Sequence, residues 1–266
     1  MKAASSKAKP EGPQAEREVR LDSTLSKGLQ VLEALARSKS GKGVTELSRE
    51  LALTKSNTFR LLRTLTALGY VHSSESRSYA ATMKVWQVGL SVIGNLDLPR
   101  IAAPQMRMLS RETGEAIYLA VPEVLSVIYI DKIESTKPIR SWNPVGGSAP
   151  MHCVGTGKAL LAADYDRLRD QIRGRLTRFT DRTITSIKRL DADVAETRAR
   201  GYAVDRGEYR ERIFSFGAAL RLPDGRPVAA IGVSLPDVNL TEGRDAEIGA
   251  LLLRAADEIS ESLKGL

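Results

Sequence analysis

The sequence predicts an α+β protein of two domains, and three observations carry that expectation. Apolar residues recur at helical spacing between residues 21 and 68, whereas long alternating strand-like runs begin at Glu115. Helical stretches then lie between two pairs of strands, the pattern of helices packed on an antiparallel sheet. The chain of 266 residues is also long for one compact core and comfortable for two, since domains cluster around 100 to 150 residues.

Charge divides along the same line. Of the formal net charge of +8, residues 1–80 hold +6, with 14 Lys or Arg against 8 Asp or Glu, and the rest holds +2. A concentrated cationic excess points to a polyanionic partner, and a solvated basic surface is the bland alternative of equal weight. With 42% hydrophobic and 27% charged residues and no apolar run near the roughly 20 that span a bilayer, the composition is that of a soluble globular protein without a membrane partner. Residues 1–20 lack the apolar core of a secretory signal and contain Glu11, Glu16 and Glu18, so they read as a disordered basic arm. Cys153 is the single cysteine, which excludes an internal disulfide and a cysteine-rich zinc site and fits a reducing cytoplasm.

Residues 21–82 form the first predicted domain. Leu21 to Arg37 places Leu25, Leu29, Leu32, Leu35 and Ala36 at helical spacing behind a Ser/Thr cluster suited to capping. Thr45 opens a second helix with Leu47 and Leu51 inward, Ala52 to Thr54 make a short turn, and a third helix runs from Lys55 to Leu68. On a helical wheel Ser56, Asn57, Arg60, Arg63 and Thr64 share one side, and Phe59, Leu61, Leu62, Leu65 and Leu68 the other. Guanidiniums, an amide and hydroxyls are the groups that read base edges and phosphates in a major groove, although any amphipathic surface helix also has a polar face. Gly69 ends the helix, and Tyr70–His72 with Tyr79–Ala81 bracket a polar loop, a small hairpin in which His72 is expected to pack. Three helices followed by a hairpin make a winged helix-turn-helix. Its candidate DNA-binding residues are Thr45, Lys55, Ser56, Asn57, Thr58, Arg60, Arg63 and, in the wing, Arg77.

Residues 83–98 are expected to be a linker helix whose apolar stripe needs a partner, either a second copy of the chain or its own domain, and residues 99–266 the second domain. A helix from Pro99 to Thr113 precedes two hairpins, AIYLAV with SVIYIDKI around Pro122–Leu125, and FSFGAALRL with PVAAIGVSL around Pro223–Arg226. Helices are expected at 157–163, 167–174 and 191–200, between the hairpins.

Catalytic and cofactor motifs do not survive inspection. His152-Cys153 invites a nucleophile reading, but neighbouring residues point apart and buried cysteines are usually packing residues. The two histidines fall in different predicted domains, with no clustered carboxylates to complete a metal site. Gly155-Thr156-Gly157-Lys158 fails as a phosphate loop, since His152 stands where the first glycine belongs and Ala159 where the hydroxyl belongs; Leu160 likewise fails the dinucleotide fingerprint. What remains is a glycine turn opening a helix, whose N–H groups suit a carboxylate or which is simply a helix start. No enzyme activity, metal or cofactor is expected.

LSKGLQVLEAL at 25–35 and VTELSRELALTKSNTFRLLRTLTALGYV at 44–71 resemble the DNA-binding half of the isocitrate lyase regulator (IclR) family, with Asn57-Thr58 where the family carries a Ser/Thr pair and Arg60-Leu61-Leu62 at its Arg-Leu-Leu; Phe59 is bulkier than the usual occupant. TGEAIYLA, APMHCVGTGKALLA and RGYAVDRGEYRERIF resemble the family's effector domain, so the likeness covers about residues 21–262. The resemblance implies a GAF-like second domain, a homodimer or dimer of dimers associating partly through the linker region, double-stranded operator DNA as partner, and a small organic acid, aromatic or aliphatic, as effector. It implies a cavity lined by Gly155, Thr156, Asp205, Ile213, Ser215 and Ser234, with Trp142 as a further wall. Ser215 stands where many members have cysteine and Gly232 where a hydroxyl residue is common. An ionised Asp205 would repel an acid, so it is expected to bond a ligand hydroxyl, hold a backbone amide or face away. A metabolite-binding protein or enzyme whose winged domain mediates protein contacts is the alternative from another class.

Overall fold

The computed structural model describes residues 22–74, 77–94, 97–141 and 143–265; the arm at 1–20 and Trp142 lie outside the described residues. Internal contacts divide the chain after Val92 into two compact units.

In the first unit, α1 (Ser23–Ala36) begins where Asp22 accepts the Leu25 N–H at 2.7 Å, satisfying an end donor that the helix itself leaves unpaired. Its buried face is Val31, Ala34 and Leu35. Leu25 and Leu29, members of the apolar repeat, are exposed: the inner stripe is set one step round the helix. α2 (Val44–Glu50) and α3 (Lys55–Ala67) are joined by a turn in which Ala52 adopts a left-handed φ of 53° and the Leu53 N–H returns to the Ser48 carbonyl at 2.9 Å. Leu47, Leu61 and Leu62 meet α1 in one small core. β1 (Val71–Ser73) and β2 (Tyr79–Ala81) pair antiparallel, with Val71 opposite Ala81. His72 is exposed rather than packed, because the three-residue strand turns only Val71 inward. α4 (Met83–Gly94) follows, and its Lys84 ammonium caps the end of α3 by donating to the Leu68 carbonyl at 2.8 Å.

In the second unit a six-stranded antiparallel sheet runs in the order β5-β4-β3-β8-β7-β6, built from β3 (Ala116–Glu123), β4 (Ser126–Ile133), β5 (Ser148–Pro150), β6 (Ala203–Arg206), β7 (Ile213–Arg221) and β8 (Pro227–Pro236). Period-two alternation separates its faces: Ile117, Leu119, Phe216, Ala218 and Ile231 join the core with α5 (Leu98–Thr113) and α9 (Arg244–Ser262). Tyr118, Ala120 and Ala230 join that with α6 (Gly155–Ala163), α7 (Tyr165–Ile172) and α8 (Ile187–Arg200). The sheet is thus covered on both faces. The two expected hairpins form its centre; β5, β6 and α9 are additions to the sequence reading.

α6 lies against the sheet through glycines. A methyl group on Gly155 would sit 2.7 Å from the Phe216 carbonyl carbon, and one on Gly217 would overlap the Gly155 carbonyl. Only hydrogen at these positions lets the two backbones approach, and the approach brings the start of α6 onto β7.

Candidate DNA-binding face and ligand cavity

α3 presents Lys55, Ser56, Arg60, Arg63 and Thr64 to solvent, with Asn57 half-buried beside them and accepting weakly from Arg60 at 3.4 Å. Thr54 accepts the Asn57 N–H at 3.3 Å and so caps the helix behind this face. Thr45 is half-buried near the start of α2, and Arg77 is exposed in the wing at a left-handed φ of 57°. Thr58 does not belong to the face: it is 0% exposed, and its hydroxyl donates to the Thr54 carbonyl at 3.1 Å inside the fold. Conversely Phe59, assigned by the wheel to the packed side, is 48% exposed and joins the polar residues as an apolar group. An arc of leucines narrower than the wheel suggests fills the core, so the aromatic ring at its margin is left outside.

In the second unit one cavity gathers most of the anticipated residues. Thr156, Asp205, Ile213, Ser215 and Ser234 line it together with Tyr129, Ser141, Asn143, Tyr209, Arg210, Phe216 and Gly232. The cavity is tight, about 30 Å³, and reaches about 430 Å³ only when the open solvent at its mouth is included. β6, β7 and β8 supply the floor, the start of α6 one wall, and the 207–212 segment between β6 and β7 another.

Gly155 departs from expectation. Its N–H donates to Ser215 Oγ at 2.9 Å, so this donor is engaged with the sheet rather than offered to a ligand, a consequence of the close α6–β7 approach. Ser215 in turn donates to Asp205 Oδ2 at 2.7 Å, and Asp205 Oδ1 accepts the Glu208 N–H at 2.7 Å. Of the three roles open to Asp205, it holds a backbone amide. The carboxyl is 2% exposed, and burial, opposed by the Ser215 and Glu208 hydrogen bonds, pushes its pKa up to about 7. Tyr129 is bonded by Thr156, and burial drives its phenol well above the ordinary range, so it is a neutral wall. Ser141 Oγ is buried without a hydrogen-bond partner. A methyl group on Gly232 would meet Thr156 Cγ2 at 2.6 Å, so the missing side chain there leaves Thr156 its place.

Sequence reasoning missed Tyr129, Ser141, Asn143, Tyr209 and Arg210. Tyr129 alternates inward along β4 and was accessible to a period-two count; the others lie on irregular segments with no periodicity to reveal them.

Behind the cavity, Lys158 is almost wholly buried, its ammonium 2.7 Å from the Val204 carbonyl, 2.5 Å from Glu208 Oε1 and 2.9 Å from Asp193 Oδ1. Burial alone would lower its pKa, but the two carboxylates outweigh that and raise it, so it stays charged. Cys153 is buried, and desolvation pushes its thiol up, away from the thiolate that nucleophilic attack needs. His152 faces the Thr177 carbonyl at 3.0 Å, and burial lowers its pKa. The pair is therefore packing, as its sequence context suggests. Among the described residues no helix is long and apolar enough to cross a membrane.

Comparison with known proteins bears on both units. The family model described as "Bacterial transcriptional regulator IclR C-terminal" matches residues 90–261, and that described as "IclR helix-turn-helix domain" matches residues 24–75. The chain is 34% identical over 244 residues to the HTH-type transcriptional regulator KdgR of Escherichia coli K12, covering 91% of this chain and 92% of that protein. It is 33% identical over 248 residues to the transcriptional repressor IclR of the same organism, covering 91% and 90%. The crystal structure of Thermotoga maritima IclR matches with a TM-score of 0.74 and 26% identity over 91% of this chain and 98% of that one. An IclR homologue from Microbacterium hydrocarbonoxydans, complexed with 4-hydroxybenzoate, shares the fold at a TM-score of 0.79 and 22% identity, covering 92% and 100%.

Proposed function

Because the chain belongs to the IclR family of bacterial transcription regulators, we propose that its α3 face reads an operator in double-stranded DNA and that a small organic acid in the second-unit cavity modulates that binding. The observation that carries the ligand half is the convergence of Thr156, Asp205, Ile213, Ser215 and Ser234, far apart in sequence, on one cavity with Arg210 among its lining residues. Polar groups that fix orientation beside apolar walls are the usual make-up of a small-molecule site. The acid bound by the Microbacterium hydrocarbonoxydans homologue supports the same ligand class here, and the hydroxyls of Thr156, Ser141 and Ser234 suit a carboxylate or a phenol. The chemistry is binding, not turnover: the buried, protonated thiol of Cys153 offers no nucleophile.

The DNA half rests on Arg60, Arg63, Lys55 and Ser56 projecting from one exposed face, with Arg77 in the wing for a neighbouring phosphate or minor groove. Association into a dimer or dimer of dimers is supported by apolar residues that the first unit leaves uncovered, Leu25 and Leu29 on α1 and Met83, Trp86 and Val88 on α4. A regulator that works on the chromosome acts in the cytoplasm. A genome-wide binding footprint, followed by band-shift titration of the recovered operator, tests the reading: the Arg60→Ala/Arg63→Ala double variant should lose about 10-fold or more in affinity. Salt-independent binding, or equal affinity of the double variant, would return the protein to the alternative of a protein-contact module.

A further inference from the structure

The cavity contains a short chain of hydrogen bonds with a directional ambiguity. Gly155 N–H donates to Ser215 Oγ at 2.9 Å, Ser215 donates to Asp205 Oδ2 at 2.7 Å, and Glu208 N–H donates to Asp205 Oδ1 at 2.7 Å. A serine hydroxyl has one hydrogen and two lone pairs. While Asp205 is ionised, that hydrogen is committed to the carboxylate and points away from a ligand. Once Asp205 carries a proton, its own O–H donates to Ser215, whose lone pairs are then filled by Gly155 and Asp205 and whose hydrogen is released. Ser215 lines the cavity, so the released hydrogen has a ligand atom to find there. Ser141 Oγ, buried in the same wall and unpartnered, is an independent sign that the cavity is built to complete its hydrogen bonds with a guest.

We propose that an organic-acid anion enters this cavity together with one proton, which Asp205 takes up from solvent and which turns the Ser215 hydroxyl from the Asp205 carboxylate onto the ligand. The inference rests on the acid-binding reading above and adds its regulation: ligand response is linked to proton activity. Both steps serve the anion, since the proton removes a like charge from the cavity floor and supplies a donor in its place.

The surrounding groups decide where the proton goes. Glu208 is paired directly with the Lys158 ammonium at 2.5 Å, which opposes the burial that raises its pKa, and Asp193 shares that ammonium from α8 at 2.9 Å. Asp205 has only neutral donors, Ser215 and the Glu208 amide, and is more deeply buried. Tyr129 from β4 and Cys153 from the turn before α6 act on it as neutral groups, both driven above their ordinary range by burial, and Tyr209 and Arg210 close the cavity from the 207–212 segment. With its pKa raised to about 7, Asp205 is the group in this cluster poised to change charge near neutrality.

Calorimetry of the full chain with 4-hydroxybenzoate and a set of short aliphatic acids, run in buffers of different ionisation enthalpy, counts the protons bound. The proposal expects uptake approaching one proton per ligand at about pH 8 and little at about pH 6, with affinity falling about 10-fold between them as the competent fraction declines. Asp205→Asn keeps a donor toward Ser215 and an acceptor for the Glu208 amide; it should bind without proton uptake and without the pH dependence, about 10-fold tighter than the wild type at about pH 8. Ser215→Ala should weaken binding at both pH values, since the complex holds the released donor at each. Binding without proton uptake overturns this proposal alone, and failure of every acid to bind overturns the acid-site reading and the proposal with it. A carboxyl-carbon NMR titration of the ligand-free chain decides the relay separately: an Asp205 midpoint in the ordinary carboxylate range overturns it whether or not an acid binds.

Discussion

The Lys158 ammonium and the Glu208 carboxylate meet at 2.5 Å with the lysine side chain 1% exposed, a charge pair inside the wall between the cavity and α8. Removing the cation leaves the buried Glu208 without compensation and the half-buried Asp193 without its partner. Lys158→Met should therefore cost about 3 to 5 kcal/mol, the range for breaking a buried pair from one side. Adding Glu208→Gln and Asp193→Asn should recover much of the loss. Denaturant unfolding of the single and triple variants checks this, and equal stability of the two would mean that the stranded carboxylates carry no cost.

A second expectation concerns glycines of opposite kinds. Gly217→Ala forces a methyl into the Gly155 carbonyl and must move α6 off β7, an overpacking cost of at least about 1 to 3 kcal/mol, with distortion of the cavity. Gly89, inside α4, has open space where a methyl would sit, so Gly89→Ala should stabilise the helix by roughly 0.5 to 1 kcal/mol. Thermal unfolding of both variants, followed by helix content, compares the signs.

Phe59 is the apolar member of the exposed α3 face. Apolar side chains on such a helix contact the thymine methyl. Phe59→Ala should leave stability within about 0.5 kcal/mol, as surface changes generally do, and relax base preference at one operator position. A selection of bound sequences from a random pool reads this out; unchanged preference with lost stability would place the ring in packing instead.

Asp205 gives the fold a pH dependence of definite sign. Its native pKa of about 7 lies above the ordinary 3.8, so between those values the native carboxyl is protonated while the unfolded one is not. Its contribution to stability is complete below about pH 4 and is lost as pH rises to and through about 7, a difference on the order of 4 kcal/mol at most. Subtracting the stability of Asp205→Asn from that of the wild type across this window isolates the term, and a flat difference would refute it.

How far the fold and sites were legible depended on the length of each pattern. α3 spans enough turns for its 3.6-residue period to declare itself, and the long central strands have enough alternation to be recognised. β5 and β6, three and four residues long, are too short to express a period. α9 is a different case: Ile248, Leu252, Ala255 and Ile259 carry a helical repeat that was present to be read. On the α3 face polarity was the wrong criterion at two adjacent positions, since Thr58 satisfies its hydroxyl locally and can be buried, while Phe59 is displaced by leucines that fill the core. The cavity was partly legible through resemblance to a family, but Lys158 was not, because its role exists only once Asp193 and Glu208 are folded against it.

The glycine contact between α6 and β7 also limits how a site of this architecture can diversify. A wall made of side chains can be trimmed or enlarged one substitution at a time, whereas a seam in which Gly155 and Gly217 bring backbone against backbone has nothing to trim and no space to fill. Changes of ligand size must then be accommodated at the opposite rim, through Tyr209, Arg210, Ser141 and Asn143, where side chains rather than main chain form the boundary. A library confined to those four positions should yield altered specificities from folded proteins, while the same number of substitutions at the seam should yield mostly unfolded ones.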